Sequence, residues 1–294
     1  MFKKSILVLL GILLASKIVS ADINDGLLAY WNFDDCSATD ASGNGHDGNI
    51  SGSVECVDGI SGTKGMNFHV DNDHISAVAD ASFSSKQITL SAWINPTGGG
   101  TWNPRVVAVG PSKSSDQFYS IILQGTKTKR HVWLFSDGNS RGVLLSAKYI
   151  SNNSGWHHVA GTIDGSTARL YVDGRLDSVT KKYPSLKSFN SGLIQIGYSD
   201  RLTDQFVGGI DEVRIYNRAL TAGEIRSLNY QGHPPTIKGS VGWGTAHTVT
   251  CQNITKNIEV TIPSTELLGW DCEKAGLPVQ SGDAVEVRIK GTKY

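Results

Sequence analysis

Asp34, Asp35, Asp40, Asn44, His46 and Asp47 crowd into one glycine-rich stretch, FDDCSATDASGNGHDG from Phe33 to Gly48. Calcium takes about six to eight oxygen ligands, and main-chain carbonyls of a tight loop serve it as well as carboxylates do. Gly43, Gly45 and Gly48 permit turns that aim carbonyls inward. No Glu closes a twelve-residue loop, so the spacing is not that of an EF-hand. A solvated loop built from Asx turns is the competing reading, and residue chemistry alone leaves both open.

Asp211 and Glu212 are neighbours in a strand pattern, so their side chains leave on opposite faces. A glycosidase needs two carboxylates converging across a cleft, roughly 5–9.5 Å apart, and this pair does not supply them. His157 and His158 also leave on opposite faces, and packed or exposed structural histidines are the commoner case. Trp102 and Asn103 lie in a Gly-rich loop where an exposed ring could stack on the apolar face of a pyranose; an ordinary loop anchor is the alternative. Trp31, Trp93, Trp133 and Trp156 sit in strand patterns and read as core.

These residues need a scaffold, and the chain begins with a leader-like segment. Lys3 and Lys4 precede an apolar run from Ile6 to Leu14, and Val19-Ser20-Ala21 offers small residues at a cleavage point after Ala21. The apolar run is too short to span a bilayer, and no later segment is long and apolar enough to act as a transmembrane helix. The expected location is secreted or periplasmic/extracellular. Such compartments preserve disulfides. Among the three pairings open to Cys36, Cys56, Cys251 and Cys272, the economical one is Cys36–Cys56 with Cys251–Cys272. No C-x-x-C spacing favours zinc instead.

Hydrophobic residues make up 39% of the chain, enough for a sizeable core, and charged residues only 18%. Formal net charge is zero, which advertises no basic face and excludes nucleic acid as a favoured partner. Ile88, Leu90, Ala92 and Ile94 alternate with Thr89, Ser91 and Trp93 in the period of a strand. Trp156–Ile163 and Ala168–Val172 flank Asp164-Gly165, a hairpin signal, and Asp173-Gly174 turns the chain again. One helix is expected at Thr221-Ala222-Gly223-Glu224, a capping box, ending by Tyr230. His233-Pro234-Pro235 reads as a linker. Val249, Ile258, Val260, Ile262, Val285, Val287 and Ile289 mark further strands beyond it. The division expected is a leader over 1–21, a β-sandwich over 22–232 and a small C-terminal β domain over 233–294.

The region from Gly26 to Leu228 resembles the laminin G-like domains of the concanavalin A-like lectin/glucanase group, the bacterial LamG-like and pentraxin-related kind. The segments that carry the likeness are GLLAYWNFDD, DASGNGHDG, ITLSAWINP, WHHVAGTIDGSTARLYVDG and GGIDEVRIYNRALTAGEI, in that order. The resemblance implies an all-β fold, an antiparallel β-sandwich of jelly-roll type; the small disulfide-containing C-terminal β module expected after it lies outside the resemblance. It implies calcium held between the first-strand loop and the last core strand, with side chains from Asp34 and Asp211 and carbonyls near Asn44. Asp40 and His46 are further candidates, His46 through its carbonyl. The alternating acids of laminarinase relatives and the Gln-x-His and Tyr-x-Lys strands of alginate-lyase relatives are absent. The expected function is therefore noncatalytic recognition of a glycan or an extracellular protein. A divergent glycoside hydrolase or polysaccharide lyase, or an adhesive surface protein, are the alternatives.

Overall fold

The computed structural model describes residues 22–60, 63–69, 72–99, 104–110, 119–125, 130–136, 143–165, 167–180, 189–197, 205–232, 238–239, 247–253, 258–262, 270–271 and 285–291. The leader-like residues 1–21, the ligand candidates Trp102 and Asn103, and Cys272 lie outside these residues, and so does the expected Cys251–Cys272 pairing.

The strands run β1 Leu27–Trp31, β2 Asn49–Ser51, β3 Glu55–Asp58, β4 Lys64–Phe68, β5 His74–Asp80, β6 Gln87–Gly99, β7 Arg105–Gly110 and β8 Tyr119–Gly125. They continue as β9 Arg130–Ser136, β10 Val143–Ile150, β11 His157–Asp164, β12 Ala168–Val172, β13 Arg175–Thr180, β14 Ser191–Ile196 and β15 Phe206–Tyr216. One sheet has the order β13-β12-β11-β6-β15-β4-β3, with β1 also on β15. The other has the order β10-β9-β8-β7-β14-β5-β2. Neighbours pair antiparallel, and the two sheets pack face to face as a sandwich. Strand β15 organises the first sheet. It pairs β6 along one side, and on the other it pairs β4 through Gly208–Ile210 and then β1 through Val213–Tyr216.

The inner faces meet in one continuous core. Trp31, Phe33, Phe68, Ile75, Leu90, Ile94, Val107, Ile121, Leu170, Ile194, Val213 and Ile215 are all buried in it. Each such side chain contributes roughly 1.5–3 kcal/mol by leaving water. The Cys36–Cys56 disulfide forms as expected and ties the loop after β1 to β3.

The outer face of the first sheet departs from the simple alternation. A period-2 strand with one wet face would leave Thr89, Ser91, His158 and Thr162 exposed, yet all four are buried. Helix α1, Ala222–Gly232, covers part of that face, its Ile225 and Leu228, with Leu220 just before it, packing on Ala160, Tyr171 and Tyr216. The capping box is present: the Thr221 amide donates to Glu224 Oε2 at 2.7 Å, and the Glu224 amide donates to Thr221 Oγ1 at 3.2 Å. The helix passes Tyr230 and ends at Gly232, two residues later than the sequence suggested. Nothing at Asn229-Tyr230-Gln231 breaks it.

Beyond the helix come β16 Lys238–Gly239, β17 His247–Asn253, β18 Ile258–Ile262, β19 Trp270–Asp271 and β20 Val285–Gly291. Strands β18-β17-β20 form an antiparallel sheet in which Cys251 is in register with Val260 and Val287, and β16 pairs with β19.

Candidate functional site

The Asp-rich loop after β1 is largely bound to itself. Asp40 is its hub, its Oδ1 accepting the amides of Tyr30 and Ser42 and its Oδ2 that of His46, at 2.9–3.0 Å. Burial works against its charge, but these donors win and hold its carboxyl below the ordinary range. Asn44 donates through Nδ2 to the carbonyls of Leu27 and Leu28. The His46 carbonyl accepts the Trp31 indole N–H at 3.2 Å, and its ring lies edge-on to Phe83.

Asp34 and Asp211 behave differently, since both reach the segment leading into β4. Asp34 Oδ1 accepts the Lys64 amide at 3.4 Å. Asp211 is fully buried. Its Oδ2 accepts the Ile60 amide at 2.9 Å with the Thr63 hydroxyl 3.2 Å away, and its Oδ1 accepts the Glu212 amide at 2.7 Å. Gly59 is required for this approach, because a Cβ there would stand 2.4 Å from Asp211 Oδ2. Burial pushes the Asp211 carboxyl up to about 7, with the Glu212 charge adding and the two amides opposing. Among the described residues no Lys, Arg or His pairs with Asp211, and no three His, Cys, Asp or Glu side chains group as metal ligands. The five metal candidates therefore divide. Asp34 and Asp211 flank one segment, while Asp40, Asn44 and His46 hold the loop.

A second cluster, not foreseen from the sequence, fills the outer face of the first sheet beside the helix. Strand β15 slips register between Asp211 and Arg214, and Glu212 there adopts a left-handed conformation, φ 54°. Asp211 and Glu212 consequently find different partners. Glu212 accepts the Tyr30 hydroxyl at 2.8 Å and pairs with Arg214 at 2.6 Å, and the Arg214 guanidinium lies 3.9 Å from the Tyr30 ring centre. Burial raises the Tyr30 hydroxyl far above its usual value, Arg214 opposing and Glu212 adding, so it stays a donor. Next to it His158 Nε2 lies 2.9 Å from Ser91 Oγ, while Nδ1 has no hydrogen-bond partner among the described residues. Burial drives the His158 ring down to about 3, helped by the Arg214 charge.

Where the edges of the two sheets meet, a cavity of about 580 Å³ opens, lined by Lys148, Val172, Asp173, Arg175, Leu176 and Asp177. Three irregularities build it. The β12–β13 turn places Asp173 and Gly174 at φ 51° and 71°, the left-handed pair of a tight hairpin. In β13 the pairing jumps from Leu176 to Ser178, so Asp177 is a bulge residue. Strand β10 loses register between Leu145 and Tyr149, which frees two amides. Asp177 fills that gap, accepting Ala147 N–H at 2.5 Å and Lys148 N–H at 3.1 Å. Asp173 receives Lys148 Nζ at 2.5 Å and faces His157 Nδ1 at 3.1 Å. Burial works to raise the Asp173 carboxyl, but the hydrogen bonds and charges of His157 and Lys148 outweigh it and hold it at about 2.

Ser154 Oγ is 2.9 Å from His157 Nε2, so Ser154, His157 and Asp173 have the connectivity of a nucleophile triad. The contacts point to a structural pin instead. The Ser154 hydroxyl also donates to the Ser151 carbonyl at 2.6 Å, turning its lone pairs toward the imidazole, and Asp173 is shared with Lys148. The chain thus fastens the β10–β11 turn to the β12–β13 turn.

A laminin G-type family model, described as the concanavalin A-like lectin/glucanases superfamily, matches residues 69–226, more than half of the chain. No curated protein matches in sequence. Among solved structures, domain 4 of AbnA, a GH43 extracellular arabinanase from Geobacillus stearothermophilus, in complex with arabinotriose, is similar at TM-score 0.55 and 24% identity. That match covers 69% of this chain and 98% of the other. The binding domain of Paraclostridial Mosquitocidal Protein 1 matches at TM-score 0.55 and 16% identity, over 82% of this chain and 64% of its own. A botulinum neurotoxin type C structure, described as dependent for cell entry on two ganglioside molecules, matches at TM-score 0.56 and 15% identity, over 83% and 63%. The match to these two toxins thus covers less than two thirds of their length, and at these identities the likeness shows the fold.

Proposed function

The chain belongs to the concanavalin A-like lectin/glucanases superfamily, and from that premise we propose that it is a noncatalytic recognition module for carbohydrate. The observation that carries the reading is the state of the two carboxylates in the cavity between β10 and β13. A glycosidase acid must hold a proton near neutral pH and release it in the transition state. Asp173, at about 2, has none to give, and both oxygens of Asp177 are taken by backbone amides and the Ser178 hydroxyl. What remains is a concave surface with charged groups at its rim and the exposed Leu176 side chain for the apolar face of a ring. The bound arabinotriose and the gangliosides named for the similar structures agree with a sugar ligand. Shallow sites of this kind bind weakly.

Export completes the reading, on the strength of the leader-like first 21 residues and a disulfide suited to an oxidising compartment. Calcium belongs to it as well. The Asp211 carboxylate is buried with no cationic side chain paired to it among the described residues, and Asp34 reaches the same segment, so these two would hold the ion with main-chain carbonyls. The ion would offset the buried negative charge and fasten the first loop to β15. The test of function is a glycan array probed with the whole exported chain, followed by incubation with every hit. Binding without new reducing ends or unsaturated products is the expected result. Turnover lost on a single carboxylate substitution would overturn it.

A further inference from the structure

We propose that the cavity between β10 and β13 selects sugars bearing a carboxylate, with Arg175 as the residue that reads the acid. This deepens the carbohydrate-binding reading and rests on it. The argument is an inventory of donors and acceptors. Both acidic residues of the cavity face inward: Asp173 toward Lys148 and His157, Asp177 toward the Ala147 and Lys148 amides and the Ser178 hydroxyl. Their acceptor capacity serves the scaffold.

The donors are not spent in the same way. Arg175, the first residue of β13, is exposed, and among the described residues it enters no ion pair. Its guanidinium offers five N–H groups in a planar fork, the shape that grips a carboxylate through two parallel bonds. Lys148 gives one bond to Asp173 and is half exposed, leaving ammonium protons at the rim. Beside them Leu176 is 53% exposed, an apolar wall against which the carbon face of a sugar can lie. The opening therefore presents donors and a hydrophobic wall but few free acceptors. A neutral sugar would leave the guanidinium without an anion, whereas a uronic acid residue matches both features. The geometry is held firmly, because Arg175 follows the Asp173-Gly174 turn that His157 and Lys148 anchor.

The experiment is isothermal titration of the whole chain with a panel of uronate oligosaccharides and, in parallel, their methyl esters, which keep every atom of the ring and replace the carboxylate charge with a neutral ester. The acids should bind roughly tenfold more tightly than their esters, a preference that shrinks as salt screens it. Arg175→Gln should abolish the preference while melting as wild type does, and Arg175→Lys should restore part of it. Equal affinity for acid and ester, or a preference unchanged in Arg175→Gln, would overturn the inference and leave carbohydrate binding standing. Binding to neutral glycans alone would do the same. Failure to bind any glycan on the array would overturn both.

Discussion

Lowering the pH should destabilise this protein through His158, and the size of the effect follows from its surroundings. The ring is 1% exposed, bonded at Nε2 to Ser91, without a partner at Nδ1 among the described residues, and close enough to Arg214 to feel its charge. Its folded value is about 3 against 6.5 in the unfolded chain. Between those values the unfolded state binds the proton and the folded state refuses it, so stability rises with pH there. The neutral ring costs nothing above 6.5, and stability drains away as pH falls through the window toward 3. From pH 7 to pH 5 the linkage relation gives a loss of about 2 kcal/mol, since each pKa unit is worth about 1.36 kcal/mol. Asp211 acts in the opposite sense. Its folded value, about 7, lies above 3.8, so its contribution is fully present below 3.8 and is lost as pH rises through 7. Comparing wild type with His158→Gln cancels that background, because Asp211 is common to both. Urea unfolding at pH 7 and pH 5 should show the wild type losing about 2 kcal/mol more than His158→Gln. Identical pH dependence in the two proteins would refute the assignment of a neutral, proton-refusing His158.

Calcium at a hundredfold excess over its Kd should stabilise the fold by roughly 2.7 kcal/mol, seen as a melting temperature that falls with EDTA and recovers with calcium. An Asp211→Ala variant that responds to calcium like wild type would remove Asp211 from the site. Opening the Cys36–Cys56 bridge by the double Ser variant should cost roughly 3 kcal/mol, the chain-entropy value for a closed loop of this size, in a urea titration. Peptide mapping without reductant should recover Cys36–Cys56 and a second bridge, Cys251–Cys272; a free thiol at Cys251 or Cys272 in exported protein would break that second pairing.

What could be read from the chain was local. Alternation from Ile88 to Ile94, the Asp-Gly turns and the Thr221/Glu224 box each depend on residues within a few positions, and the strands, hairpins and helix start formed where those patterns stood. The Cys36–Cys56 pairing was legible for the same reason, being the shorter of the plausible loops. The Asp-rich loop was legible as an oxygen-rich segment, but not in the use of its members. Three amides happened to fall within reach of Asp40, and that capture depends on how the loop lies across β1.

The tertiary structure alone decided which faces were dry and where a ligand could enter. Thr89, Ser91 and His158 look solvent-facing in sequence because alternation says only that two faces differ. They are buried because segments far along the chain cover that face: the main chain of Arg218 and Leu220 meets Thr89, and Ile225 and Leu228 of helix α1 pack beside Ala160 on the same strand as His158. The cavity is of the same kind. It exists because a bulge at Asp177 in one sheet meets freed amides at Ala147 and Lys148 in the other. Sequence periodicity carries the direction of a side chain from its own strand. The partner across the gap comes from the pairing of distant segments, which no local pattern encodes.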